Sequence, residues 1–160
     1  MTTLESSFVI FRLGDEEYGL PVASVNSIIR YEAATPVPRA PEAVLGVINL
    51  RGKVVPVVDL MRRFKGAAFQ PAAMSRIVVA EGAAGAVGIA VDSANEVAEF
   101  PADSWRPVPE GVLSPDTAHA FKGVVERDGA LVILLDLDEA VPRSEYAAAL
   151  ADSPEGEPHV

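Results

Sequence analysis

The sequence predicts an all-β protein built from two small barrels of SH3-like size that pack against each other. Three observations support this class. The apolar residues fall in short runs rich in β-formers and separated by turns. Helical patterns are sparse, and an internal repeat divides the chain into two similar halves. The 160 residues are the length of one domain.

Six short apolar runs predict strands, and turn residues bound most of them. They cover residues 8–13, 20–22, 54–58, 77–80, 87–91 and 131–135. The first two runs are joined by Gly14-Asp-Glu-Glu-Tyr-Gly19, which is typical of a turn. Pro56 has no N–H for a β-ladder, so its run is predicted at a sheet edge or a bulge.

Two segments predict helices. Residues 59–65 would form a short helix that Asp59 caps and Gly66 ends. Residues 138–150 form the best longer candidate, with Pro142 either in its first turn or at its start.

An internal repeat is the most informative feature of the sequence. Residues 46–60 align with residues 123–137 without a gap, and six of fifteen positions are identical, against about one expected by chance. Residues 18–26 align with residues 87–95, and Pro36-Val-Pro38 echoes Pro107-Val-Pro109. The three matches keep their order along the chain and have similar separations, which predicts two similar all-β halves.

We therefore expect a single domain over residues 1–145. Its first half would span about 8–66, a connector rich in small residues about 66–75, and its second half about 76–145. Halves of ~65–70 residues are marginal alone, so they should pack together, and strand exchange between them is left open. Residues 146–160 are expected to hold the end of the C-terminal helix and a disordered acidic tail.

Composition excludes several classes of function. The net charge of −10 argues against a nucleic-acid binder, and the absence of Cys excludes thiolate and iron–sulfur chemistry. No signal peptide or run of roughly 20 apolar residues occurs, so a cytoplasmic protein without direct membrane insertion is expected. Residues 1–80 carry nine basic and seven acidic side chains, and residues 81–160 carry four and sixteen. This asymmetry fits either contacts with more than one partner or an acidic tail that aids solubility.

No motif predicts catalysis or a cofactor. The segment Gly46 to Lys53 has the wrong spacing for a phosphate loop, and the glycines at 82, 85 and 88 fall between two β-runs. His119 is isolated from other candidate catalytic groups. Asp59 and Asp136 could form a carboxylate pair, but equivalent places in the repeat favour helix capping.

Binding is the remaining class of function. Val22, Val25, Ile28 and Ile29 show helix-like spacing, which fits either core packing or an apolar groove for a partner helix. Arg51 is predicted at the tip of a hairpin turn beside Gly52, which would supply a positive φ. An Arg at a turn is usually solvated, but Arg is also enriched at interface hot spots.

The sequence resembles the CheW family of bacterial chemotaxis coupling proteins. The resemblance spans about residues 8–145 and rests on 8–19, 46–60, 87–92, 106–109 and 131–137. The most specific block is Asn-Leu-Arg-Gly…Val-Pro-Val-Val-Asp-Leu, residues 49–60. The resemblance implies two packed SH3-like five-stranded β-barrel subdomains, with short helices and a C-terminal helix. It also implies a scaffold without enzymatic activity or a cofactor.

The partners implied by the resemblance are the histidine kinase CheA, through its regulatory CheW-like domain, and the cytoplasmic hairpin tip of a chemoreceptor. The protein would be a monomer in isolation and form rings with the kinase within receptor arrays. Receptor binding is implied for five residues and kinase binding for three. The receptor set is Val25, Ile28, Arg51, Ala94 and Val97; the kinase set is Gly46, Arg51 and Gly52.

Two positions depart from the family pattern. Ser27 stands where members often carry an acidic residue, and Ala94 is smaller than the usual Val. Two other functions stay open at this point: a CheW-like adaptor for a non-flagellar system, such as pilus motility or development, and a small-ligand-binding or enzymatic β-barrel.

Overall fold

A computed structural model describes residues 6–83, 85–108 and 119–141. These residues form ten strands and two short α-helices, which confirms the all-β class. The strands are β1 Ser7–Leu13, β2 Glu16–Pro21, β3 Val25–Arg30, β4 Val44–Leu50, β5 Lys53–Val58, β6 Arg76–Gly82, β7 Gly85–Val91, β8 Ser93–Glu99, β9 Phe121–Arg127 and β10 Ala130–Leu135. The helices are α1 Leu60–Lys65 and α2 Leu137–Ala140. The predicted helix over 138–150 and the predicted tail lie, beyond Val141, outside the described residues.

The strands form two five-stranded sheets, each the wall of one barrel. Barrel 1 has the order β8-β1-β2-β10-β9, and barrel 2 has the order β3-β6-β7-β5-β4. Each barrel therefore takes strands from both halves of the sequence. Two parallel pairings join strands of different halves: β2 with β10, where Tyr18 faces Ile133, and β5 with β7, where Val57 faces Gly88.

The buried side chains form three clusters, because many strands bury both faces. One cluster fills barrel 1, and a second fills barrel 2. The third, which we call the shared core, combines side chains of both barrels and holds them together. In β6, for example, Ile77 and Val79 point into barrel 2, whereas Val78 and Ala80 point into the shared core. The shared core also contains Phe11, Tyr18, Leu20, Ile89, Ala94, Phe121 and Leu135.

The repeat in the sequence is a repeat in the structure. Asp59 caps α1 by accepting the Arg62 N–H at 3.0 Å, and Asp136 caps α2 by accepting the Glu139 N–H at 3.3 Å. Asp59 is buried and also accepts the Phe69 N–H at 2.8 Å. The capping interpretation of both carboxylates is therefore confirmed.

In two places the local structure differs from what the sequence pattern suggests. Val22, Val25, Ile28 and Ile29 do not share a helix, since a 3-10 turn over Val22–Ser24 leads directly into strand β3. Strand β5 is not at an edge, because it lies between β4 and β7, but the predicted alternative of a bulge is present next to Pro56, where β4 shifts register between Val44 and Gly46. Pro56 is tolerated there because β5 pairs with β7 only at Val57 and Val58.

Candidate functional site

Two edge strands carry four of the residues predicted to bind a receptor. Val25 and Ile28 lie on β3, the edge of barrel 2, and Ala94 and Val97 lie on β8, the edge of barrel 1. Val25 aligns with Ala94 in the repeat, and Ile28 aligns with Val97 when the same alignment is extended. The four residues are thus two copies of one local pattern.

The two pairs differ in exposure. Val25 is half-buried against the shared core, and Ala94 is a buried member of it. Ile28 is 38% exposed and Val97 is 60% exposed. The Val25/Ala94 pair therefore packs the interior, whereas the Ile28/Val97 pair presents apolar surface to solvent.

Arg51 lies at the tip of the β4–β5 hairpin, and its side chain is exposed. Arg51 has φ 55° and Gly52 has φ 86°. Positive φ at both residues of a two-residue loop is characteristic of a type I′ turn, whose twist matches that of the strands. The Gly52 N–H donates to Asn49 Oδ1 at 2.9 Å, which fixes the turn. The predicted positive φ at Gly52 is confirmed.

The three residues predicted to bind the kinase are not alike in exposure. Arg51 and Gly52 are exposed at the hairpin tip, whereas Gly46 is buried near the start of β4. Gly46 has φ 148°, and a Cβ atom there would collide with the Thr35 carbonyl. That carbonyl accepts the Val47 N–H at 2.9 Å, so Gly46 permits a backbone bridge that holds residue 35 against β4.

A cleft of about 250 Å³ opens where the two edges of barrel 2 approach each other. Asn26 and Ser27 line it from β3, and Leu50 and Arg51 line it from the end of β4 and its turn. Additional lining comes from Lys53, Val55, Val79, Glu81 and Ala86. The line along which the two edge strands of a barrel meet is its seam, and we call this space the seam cleft.

The corresponding edges of barrel 1 are bridged by an ion pair. Arg127 at the end of β9 donates from Nη2 to Glu96 Oε2 on β8. These strands stand at opposite ends of the sheet order, so the pair fastens the barrel along its seam. The hydrogen bond from Arg127 lowers the pKa of the Glu96 carboxyl.

Some sequence motifs play structural roles. Gly82 and Gly85 pair with each other at the β6–β7 hairpin, and Gly88 lies within β7. His119 is exposed, and its Nε2 atom lies 3.6 Å from Glu139 Oε2. Among the described residues, no cluster of three His, Asp or Glu side chains could hold a metal ion. No helix in the described ranges is long and apolar enough to span a membrane.

Comparison with known proteins decides the family. The model of the CheW-like domain matches residues 7–145. The chain belongs to the CheW family. Chemotaxis protein CheW of Rhizobium meliloti (strain 1021) is 35% identical over 142 residues, covering 88% of this chain and 90% of that protein. Chemotaxis protein CheW of Bacillus subtilis (strain 168) is 30% identical over 144 residues, covering 90% and 92% respectively.

A solved structure supports the same conclusion. Scaffolding protein TtCheW from Thermoanaerobacter tengcongensis has a TM-score of 0.79 and 29% sequence identity to this chain. The similarity covers 89% of this chain and 93% of TtCheW. The CheW-like chain is thus an adaptor of chemotaxis, with the two packed barrels expected from its resemblance. A non-flagellar system is not favoured.

The seam cleft was not predicted from the sequence of this CheW-like chain. Its walls come from all five strands of barrel 2, β3 to β7, and the edge strands β3 and β4 meet there only through the sheet order. The repeat did contain one signal, because its alignment, extended by one position, sets Ser27 against Glu96. Sequence alone could not show that Glu96 bridges a seam.

Proposed function

We propose that this protein couples the cytoplasmic hairpin tips of chemoreceptors to the histidine kinase CheA, as a scaffold in the cytoplasm without catalytic activity of its own. The observation that carries the proposal is the matched pair of exposed apolar residues, Ile28 and Val97, on two related edge strands. The receptor tip is a hairpin of two helices, so it has one helix for each of the two edge strands. One helix of the receptor tip would contact each edge strand through apolar anchors.

The kinase would bind at the β4–β5 hairpin tip, through its CheW-like regulatory domain. Gly52 and Arg51, which is also part of the receptor set, are exposed there on a turn of fixed geometry, so binding would order little additional backbone. Gly46 would act indirectly, because it is buried and secures the backbone of β4. A monomer with two such surfaces could alternate with kinase domains in rings below the receptors.

Signal transfer would require the two receptor states to hold the complex differently. A ligand shifts an equilibrium only by its differential affinity for the two states. The scaffold would supply the fixed geometry through which a change in the receptor tip reaches the kinase.

The test is reconstitution of kinase control. The purified chain is combined with the CheA and a receptor cytoplasmic fragment from the same genome, and receptor-stimulated phosphorylation of CheA is measured. Wild type should stimulate, and Arg51→Asp should reduce stimulation by about tenfold or more, because it reverses a charge at an interface. The fold should survive, since Asp128 occupies the matching turn position with φ 51°.

The matched control is Asp128→Asn at the tip of the β9–β10 hairpin. Asn also tolerates positive φ, so this variant alters the charge of the other turn without straining it. Stimulation should stay within about twofold of wild type. The proposed function is refuted if the wild-type chain binds neither the receptor fragment nor CheA.

A further inference from the structure

The two barrels differ at their seams, although the repeat relates them. In barrel 1, Glu96 and Arg127 bridge edge strands β8 and β9. In barrel 2, the corresponding edge strands β3 and β4 leave the seam cleft of about 250 Å³. The sequence repeat identifies the cause.

In the repeat, Ser27 stands at the position that corresponds to Glu96, and Leu50 stands at the position that corresponds to Arg127. Barrel 2 therefore lacks the carboxylate that fastens barrel 1. It retains a guanidinium one position further along, because Arg51 follows Leu50 and lines the cleft. The seam has the cation of an ion pair without the anion.

The charges in the cleft support this imbalance. Arg51 and Lys53 are exposed, and neither forms an ion pair with another of the described residues. Glu81 is the acidic side chain in the lining, and its Oε1 already accepts the Asn26 Nδ2 hydrogen bond at 3.0 Å. Two cations thus face one engaged carboxylate, which favours an additional anionic group.

We propose that the seam cleft receives a Glu or Asp side chain from the chemoreceptor hairpin tip. This carboxylate would pair with Arg51 in barrel 2 as Glu96 pairs with Arg127 in barrel 1. The inference rests on the proposed function and specifies one contact of the receptor surface. A guanidinium binds a carboxylate with directed, charge-assisted hydrogen bonds, so the contact would add specificity to apolar binding.

The receptor is the occupant because the cleft is continuous with the proposed receptor surface. Asn26, which is exposed, lines the cleft, and Ile28, the next exposed residue of the alternating strand β3, lies two positions further along. A helix that sets an apolar side chain against Ile28 would pass the mouth of the cleft. An acidic residue within one turn of that helix would reach Arg51.

The first test supplies the missing carboxylate from within the chain. Ser27→Glu should place an acid beside Arg51 and compete with the receptor's acid. The affinity of the Ser27→Glu variant for the receptor cytoplasmic fragment is measured by titration calorimetry. It should fall by about tenfold, which is the loss expected for one charge-assisted hydrogen bond. Ser27→Gln is the matched control, because it adds the same length without charge and should keep affinity within about threefold of wild type.

The second test is a charge exchange. Arg51→Glu is combined in turn with receptor fragments in which one acidic residue of the hairpin tip is replaced by Lys. One combination should regain at least about tenfold of the affinity that Arg51→Glu loses. Circular dichroism melting of each chain variant verifies that it is folded.

The possible results separate this inference from the proposed function. If wild type binds the receptor but no exchange restores affinity, or if Ser27→Gln weakens binding as much as Ser27→Glu, the cleft does not receive a receptor carboxylate. Restoration by an exchanged residue of CheA instead would also overturn the assignment. If wild type binds neither receptor nor kinase, the proposed function itself fails and this inference falls with it.

Discussion

At the scale of single residues, two glycines make the same backbone bridge possible in both barrels. Gly46 precedes Val47, which exchanges hydrogen bonds with Thr35 at 2.8 and 2.9 Å. Gly123 precedes Val124, which does the same with Arg106 at 2.9 and 2.8 Å. A Cβ at Gly123 would lie 2.8 Å from the Arg106 carbonyl oxygen, closer than real Cβ contacts allow.

Replacing Gly46 should therefore destabilise the fold. Gly46→Ala should lower the free energy of unfolding by about 3 kcal/mol, because it combines a strained φ with a backbone collision. Gly52→Ala should cost only about 1 kcal/mol, since its Cβ would meet nothing within 4 Å. Urea denaturation followed by circular dichroism measures both. Equal costs would show that the Thr35 contact does not restrict Gly46.

The Glu96–Arg127 pair should make stability depend on pH in the acid range. The pKa of Glu96 is lowered in the folded protein, so the unfolded state binds its proton more readily. The stabilisation is thus present above the unfolded pKa of about 4.3 and is lost as the pH falls through the lower folded pKa. The melting temperature of wild type should exceed that of Glu96→Gln at pH 7, and the difference should shrink as the pH falls below the unfolded pKa and vanish once Glu96 is protonated in the folded state as well. A difference that is constant over this range would contradict the pair.

The sequence predicted residues whose roles are local better than residues whose roles depend on the tertiary fold. The Asp59 and Asp136 caps and the turn at Gly52 depend on near neighbours, and all three were predicted. The burial of Ala94 and Gly46 depends on distant strands that pack over them, so the sequence could not show that these residues lie inside.

At the scale of elements, the edge strand β3 has side chains with different functions along its length. Val25 packs against the shared core, while Ile28 is substantially exposed and Ile29 packs into barrel 2. The strand was missed because the spacing of its apolar residues resembles a helix. A β-bulge between Val25 and Ser27 shifts the register of β3 against β6, so a strand can place Val25 and Ile28 at this spacing.

Asp substitutions should separate the binding residues of this strand from its core residues. Ile28→Asp should leave the melting temperature within a few degrees of wild type but weaken binding to the receptor fragment by about tenfold, and Val97→Asp should act alike. Val25→Asp should instead destabilise the fold by roughly 2–4 kcal/mol, because it buries a charge against the shared core. Melting curves measure the stability of each variant, and receptor titrations on the same samples measure its affinity. Full receptor affinity in both Ile28→Asp and Val97→Asp would remove the receptor surface from these strands.

At the scale of the whole molecule, the interleaved strands make the two barrels interdependent. Barrel 1 holds β1 and β2 together with β8, β9 and β10, and barrel 2 holds β3, β4 and β5 together with β6 and β7. The halves recognised from the repeat are therefore not the folding units. Sequence similarity revealed that two units exist, but strand pairing assigned the strands to them.

Cutting the chain in its connector should unfold both pieces. Fragments 1–70 and 71–160 should each lack a cooperative melting transition, because each would leave two sheets incomplete and the shared core open. An equimolar mixture should regain β-structure by circular dichroism and melt in a single transition. Cooperative unfolding of either fragment alone would contradict this interdependence.

The strand order also determines when the protein can acquire its structure during synthesis. All strands of barrel 2 lie between Val25 and Val91, so all of them have been synthesised before β8, β9 and β10 of barrel 1. The hairpin β1–β2 emerges first, yet its parallel partner β10 begins only at Ala130. Its apolar side chains Phe8 and Ile10 therefore remain without their β9 and β10 packing partners until almost the whole chain has been synthesised. Exposed apolar strands are prone to aggregation and to chaperone binding during this time. A chain truncated before Ala130 would contain all the strands of barrel 2 but would lack β10, which joins β2 to β9 in barrel 1.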